Sequence, residues 1–446
     1  MIILNHISIK KGHDIRLSGI PCTDKIISLN PKKVALMPIK FRGVKPKLMV
    51  QKGDEVSAGT PLFFDKNKPE IKWASQLGGI VSDIQIGARR VIEKIEVDSS
   101  DSRENSVVAL EPLNLENADG KTVKKYILDS NVFPLIRQRP FNKIPDPNIK
   151  PRDIFISGVG SAPLAVDIGY LISQEKEFFQ AGLTGLSKLT DGNVYLTLRE
   201  KVGFSDVKEQ TISGPHPSGN VGIQIHHTKP LKPSDIIWTI SPQHVVTLGK
   251  LFKSGIYNSK ILITVGGSGS SQPCYVETNT GANIGEILSN QENTRPVRLI
   301  SGDVLTGATV QEDNFIGYYD TSVAMIDDDV KRPFLGMLSL GSNKTKYSLT
   351  NTFLSFGKQD FNFTTSQNGE LRSIVPLNAW EKFLPMDILP NPLYRSILSE
   401  DIEEMEKLGI IECDEEDFAL CSFACPSKID VGSVIRQGLD LMEKEG

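Results

Sequence analysis

Between Lys33 and Val97 short apolar runs alternate with glycine and proline turns. Val34–Met37, Lys47–Val50, Thr60–Phe64 and Gly79–Ile84 are each strand-length, and the residues between them include Pro38, Gly43, Gly53 and Gly59. That spacing predicts a small, turn-rich β unit. Asp98–Asn105 is a polar run with the composition of a solvated loop. Pro140, Pro145, Pro147 and Pro151 punctuate Arg139–Arg152, which predicts an extended connection with little regular structure. Apolar runs then recur at Asp153–Ser157, Val194–Leu198, Asp235–Ile240 and Lys260–Val265, separated by helix-like stretches such as Leu164–Leu183. Such alternation predicts an α/β domain on a largely parallel sheet. From about residue 265 to 330 the pattern returns to short strands and turns, as in a small α+β module. From Asn378 it is helical and acidic (Glu400, Asp401, Glu403, Glu404, Glu406), with breaks at Pro385, Pro390 and Pro392.

Composition narrows the classes. With 446 residues, 39% hydrophobic and 23% charged, the chain is globular and long enough for several domains. Its net charge is −4 and no basic stripe stands out, so no nucleic-acid partner is expected. No apolar run approaches the ~18–20 residues of a membrane-spanning helix, so any membrane contact is expected to be peripheral or made through a partner. The lysines at the start follow a very short apolar stretch, the wrong order for a secretory leader. Five cysteines without framework spacing fit a reducing cytoplasm.

Five groups of residues invite chemistry. Val50–Leu62 and Ala74–Val81 resemble the two half-barrels of biotinyl and lipoyl carrier domains, and Asp65-Lys66-Asn67-Lys68-Pro69 lies where their modified lysine stands. Lys66 is therefore a candidate for a swinging arm, weighed against a purely structural sandwich. Gly158-Val159-Gly160-Ser161-Ala162-Pro163 approximates a dinucleotide turn, but Pro163 replaces its third glycine and no ribose-binding acid follows at about twenty residues. Gly266–Ser271 lacks the Lys-Ser/Thr of a phosphate loop. His216, His226, His227 and His244 cluster without metal-ligand spacing; on a strand, His226 and His227 would face opposite sides. Cys421-Ser422-Phe423-Ala424-Cys425-Pro426 matches the last two ligands of an iron–sulfur run, but Glu415 and Phe418 stand at the first two positions and Cys413 is offset. The motif is degenerate, and an empty cluster site is expected.

Further blocks carry a family resemblance along nearly the whole chain. Lys10–Pro21, Gln138–Phe141, Ser213–Gly222 with Ile225-His226, Ile300–Gly307 and Leu420–Pro426 resemble, in order, the A subunit of the sodium-translocating NADH:quinone oxidoreductases (Na⁺-NQR). The resemblance implies a component, peripheral on the cytoplasmic face, of a respiratory pump that oxidises NADH, reduces ubiquinone or menaquinone and exports Na⁺. It further implies no tightly bound redox cofactor or metal here, with flavins, the iron–sulfur centre and NADH handled by other subunits, and docking to the membrane-embedded B subunit.

The fold implied is multidomain α/β and α+β. Residues 1–105 would hold a carrier-like barrel-sandwich, 106–257 a Rossmann-like α/β domain, and 258–330 a β-grasp, soluble-ligand-binding module. Residues 331–446 would form a mostly helical tail with the degenerate cluster motif, Cys421 and Cys425. No catalytic residue is expected. Gly214, Pro215, His216, Pro217 and His226 are the candidates for contact with quinone or a partner. Two readings stand against this one: a covalent cofactor carrier using Lys66, and a free-standing NADH-binding electron-transfer enzyme with its own flavin or cluster.

Overall fold

The computed structural model describes residues 6–99, 106–292, 295–328, 347, 349, 359–374 and 377–446. Residues 1–5, which carry the leader reading, lie outside them. So do most of the Asp98–Asn105 loop (residues 100–105) and much of the stretch from 331 to 358 within the tail domain.

Glycine turns fold the first unit into two facing sheets. Lys33–Leu36, Ile92–Asp98, Gly79–Ile86 and Glu55–Val56 form one, in that order; Pro46–Leu48, Pro61–Asp65 and Lys68–Ala74 form the other. Phe63 and Trp73 stack between them, 4.6 Å apart at 12°, beside fully buried Leu62, Val81 and Ile95. The apolar cluster of this sandwich continues through Phe133, Ile154, Leu183 and Trp238 into the α/β domain, so the two share one core.

The α/β domain is built on a six-stranded sheet in the order His6–Ser8, Lys208–Ser213, Val194–Leu198, Ile154–Ser157, Ile237–Thr239, Arg137–Arg139. The first five are parallel; Arg137–Arg139 closes the edge antiparallel. The central strands IFIS and VYLTL are mostly apolar, as burial on both faces demands, with buried Thr197 the polar exception inside the second. Helices Ile168–Gln174, Lys176–Ser187, Val221–Thr228 and Pro242–Ser254 connect or flank them. Lys260–Gly266 does not join this sheet, contrary to the alternation read from the sequence. Arg137–Arg139 already occupies the place beside Ile237–Thr239, and Lys260–Gly266 instead pairs with Cys274–Asn279 and Ser322–Asp327. With Val297–Ser301, Ala308–Val310 and Ile26–Ser28 these make a second, mixed six-stranded sheet.

The helical tail (Pro390–Leu398, Ile402–Lys407, Ala419–Ala424, Val431–Glu445) buries Leu393, Met405, Phe418, Ile435 and Leu439 together. Ile7, Ile9, Ile212 and Ile223 of the α/β domain belong to the same cluster. The tail is thereby cemented to the parallel sheet.

Candidate functional site

The Gly214–Asn220 turn leaves the strand Lys208–Ser213 at its carboxyl end and opens the helix Val221–Thr228. Two glycines make it possible. Gly214 has φ +121°, and a Cβ there would lie 2.2 Å from the Ile9 carbonyl oxygen; Gly12 has φ +127°, and its Cβ would lie 2.1 Å from the His216 carbonyl oxygen. Only glycine adopts this backbone at such an approach, so the amino-terminal strap and the turn interlock. His13 N–H donates to the His216 carbonyl at 2.8 Å, and His216 N–H to Asp14 Oδ1 at 2.8 Å.

His216 itself is buried. Its Nδ1 shares a 3.0 Å hydrogen bond with Ser161 Oγ, which also accepts from Gly219 N–H at 2.8 Å. Burial lowers its pKa, against the pull of Asp303 and Asp14, so the ring is neutral near pH 7. Pro217 is buried beside it, whereas Gly214 and Pro215 stay partly exposed at the lip. The turn thus fixes His216 within the protein and leaves Gly214, packed on Ile9, and Pro215 partly exposed at its lip.

His226 and His227 are on a helix, which corrects the strand reading. Val221, Ile223 and Ile225 alternate as in a strand, but Gly222 lies so close to Asp417 (a Cβ would be 2.2 Å from Oδ2) that the segment packs as a helix on the tail. His226 Nε2 accepts from Asp387 N–H at 3.0 Å, which places its proton on Nδ1, 2.9 Å from Glu412 Oε2. His227 Nε2 donates to the Pro385 carbonyl at 2.7 Å. His216 and His226 therefore serve different junctions: the first ties the strap, the second the tail.

The strongest electrostatic feature went unread in the sequence. Arg139, 3% exposed, donates through Nη2 to Asp414 Oδ2 at 2.8 Å and Glu416 Oε1 at 2.7 Å. Asn220 Nδ2 reaches Asp417 Oδ1 at 3.2 Å. Burial pushes the Glu416 and Asp417 carboxyls up; Arg139 opposes it for both, and the neighbouring Glu416 adds to it for Asp417. The signal was present in two halves, Gln138-Arg139-Pro140-Phe141 and the acidic run Asp414–Asp417. Nothing in the spacing joins residues so far apart.

The thiols are packed away. Cys421 Sγ lies 3.7 Å from the Trp380 carbonyl oxygen, and burial pushes its thiol well up. Phe418, at a former ligand position, is fully buried in the tail core. Among the described residues no group of three or more His, Cys, Asp or Glu could hold a metal ion. Lys66 is exposed in the two-residue turn between Pro61–Asp65 and Lys68–Ala74, with Asp65 Oδ1 accepting from Asn67 N–H at 3.0 Å.

The parallel strands run in the spatial order third, second, first, fourth, counted from Ile154–Ser157. Connections leave to opposite sides between Ile154–Ser157 and Ile237–Thr239, and a crevice of about 300 Å³ opens at their carboxyl ends. Gly219 and Asn220 of the turn form part of its wall, with Ser157, Thr239, His244 and Arg139.

Sequence comparison settles the family. Residues 7–100 match the NqrA N-terminal barrel-sandwich hybrid domain, 118–257 the NqrA second alpha/beta domain and 262–312 the NQRA C-terminal domain. The A subunit of the Na(+)-translocating NADH-quinone reductase of Hahella chejuensis is 36% identical over 99% of this chain and 100% of its own length. Its counterparts in Pseudomonas aeruginosa (36%) and Vibrio atlanticus (34%) align over the same shares. The chain belongs to the NqrA family. NqrA proteins are components of an enzyme, the Na⁺-translocating NADH-quinone reductase, so other subunits of that complex are its partners. The barrel-sandwich and α/β expectations are met by the NqrA domains. Among the described residues no helix is long and apolar enough to cross a membrane. A crystal structure of an NAD⁺-reducing [NiFe]-hydrogenase aligns at TM-score 0.35 and 11% identity over 52% of this chain and 54% of that one, too loose a likeness to carry an argument.

Proposed function

We propose that this NqrA chain serves the quinone end of the complex from the cytoplasmic face, docks chiefly on the membrane-embedded B subunit and holds no redox cofactor of its own. Ubiquinone or menaquinone is the substrate; NADH, flavins and the iron–sulfur centre are handled by other subunits, and the isolated chain is not catalytic. The observation that carries this reading is the construction of the Gly214–Asn220 turn. A strap and a buried His216 hold it rigid while Gly214 and Pro215 stand at the surface, at the carboxyl edge of a parallel sheet. Such edges are where α/β proteins meet ligands, and a rigid apolar lip suits a quinone ring or a partner loop. Gly214 and Pro215 make the contact; His216 and Pro217 position them, and His226 holds the adjoining helix to the tail. The reading of an empty cluster motif is supported by Phe418, fully buried where a ligand would stand, since the two cysteines Cys421 and Cys425 cannot hold a four-iron cluster.

The test is His216→Ala in the assembled complex. Losing the Ser161 bond loosens the lip, and KM for quinone rises about three- to tenfold, the worth of one buried hydrogen bond. Electron transfer from NADH to an artificial acceptor stays unchanged. Unchanged quinone KM and turnover would overturn the reading.

A further inference from the structure

The crevice at the switch point carries more than a surface turn needs. Arg139 lines it and spends only Nη2 on Asp414 and Glu416; its Nε and Nη1 are buried with no partner. Arg137, on the same strand, lies over the Tyr319 ring at 4.4 Å and leaves its own Nε buried and unpartnered. Two helices begin at this crevice. Pro242–Ser254 starts from Ser241 and Val221–Thr228 from Asn220, and the second has no side-chain cap. Pro242 has no N–H and Ser241 Oγ already accepts from His244 N–H at 3.3 Å, so the uncapped start of Val221–Thr228 supplies the amide donors, with partial positive charge, opposite the arginines.

One wall differs. His244, 6% exposed, gives one ring nitrogen to the Leu135 carbonyl, while Nδ1 is buried with no partner. Because a carbonyl only accepts, the proton is on Nε2 and Nδ1 offers a lone pair. Glu416 is the one carboxyl on the wall, already engaged with Arg139. At about 300 Å³ the space lies at the small end of ligand pockets, too small for a dinucleotide.

We propose that this crevice binds a phosphate-class oxyanion that still carries a hydroxyl: its oxygens accept from Arg139 and the start of the helix Val221–Thr228, and its P–OH donates to His244 Nδ1. Sulfate has the same size and charge but no proton at neutral pH, so it meets the arginines and leaves Nδ1 unpaired. The site is independent of the lip assigned to quinone or partner contact and stands if that assignment fails.

The experiment titrates inorganic phosphate and, separately, sulfate into the full chain at constant ionic strength, reading heat of binding and ³¹P line width. Phosphate binds saturably with one site, about five- to tenfold tighter than sulfate, the contribution of one hydrogen bond. In His244→Phe that preference disappears while sulfate affinity is unchanged; in Arg137→Gln both anions weaken together. Competition by methyl phosphate at about pH 6, where a large share of the monoester keeps a P–OH, assigns the crevice to the phosphoryl end of a larger molecule, and its failure to compete there assigns it to the free ion. A response that follows ionic strength alone, or equal affinity of the unsubstituted chain for the two anions, overturns the proposal. Those two outcomes need no variant to fold.

Discussion

His244 and His216 show what burial does to an imidazole. Both are held below the ordinary value of 6.5, first by desolvation, and His244 is lowered to about 4. Between pH 6.5 and 4 the unfolded chain therefore takes up protons that the folded chain refuses. The stability linked to these neutral rings is present above pH 6.5 and lost as pH falls. Asp417 and Glu416 run the other way: their raised carboxyls favour the fold at acid pH, and that contribution is lost as pH rises. Comparison of His244→Phe with the unsubstituted chain isolates the histidine. Between pH 7 and 4 the unsubstituted chain loses about 3 kcal/mol more in urea unfolding than the variant does; equal losses would show that His244 is not held neutral. Lys66 has its own direct check, because a biotinyl or lipoyl arm adds covalent mass. The native chain is expected to have the mass of its sequence, and a discrete addition at Lys66 would revive the carrier reading.

Among elements, the interlock of strap and turn is the sharpest dependence on sequence. Gly12→Ala and Gly214→Ala each force a Cβ onto a carbonyl oxygen at positive φ, and each costs about 2–4 kcal/mol by chemical denaturation. Together they cost less than the sum, because each loosens the same packing of strap on turn, Gly12 against His216 and Gly214 against Ile9; full additivity would mean that the two glycines act separately. The strands legible in the sequence were the apolar ones, Ile154–Ser157 and Val194–Leu198, where burial on both faces leaves a continuous run. Lys208–Ser213 (KEQTIS) was not, since only Gln210 and Ile212 turn inward. The His226-His227 segment misled because its alternating apolar residues mimic a strand, and tail packing decides for a helix. Cys421, Cys425 and the turn were visible as motifs. The Arg139 cluster and the crevice were not, because both depend on contacts between residues far apart in the chain.

For the whole molecule, two shared apolar cores join the domains. One core runs through sandwich and α/β domain, a second through the parallel sheet and tail, and Arg139 ties the tail's acids beside the crevice. The chain is a member of the NqrA family, and its sandwich, parallel sheet and tail carry the partly exposed lip and the carboxyl-edge crevice. We propose that it acts at the quinone end of the complex. The most direct measurement compares membranes from cells with and without this chain, following NADH oxidation with quinone and, separately, with an artificial acceptor that takes electrons at the flavin entry. The account predicts loss of Na⁺-stimulated quinone reduction with artificial-acceptor activity retained. Survival of both activities would contradict it.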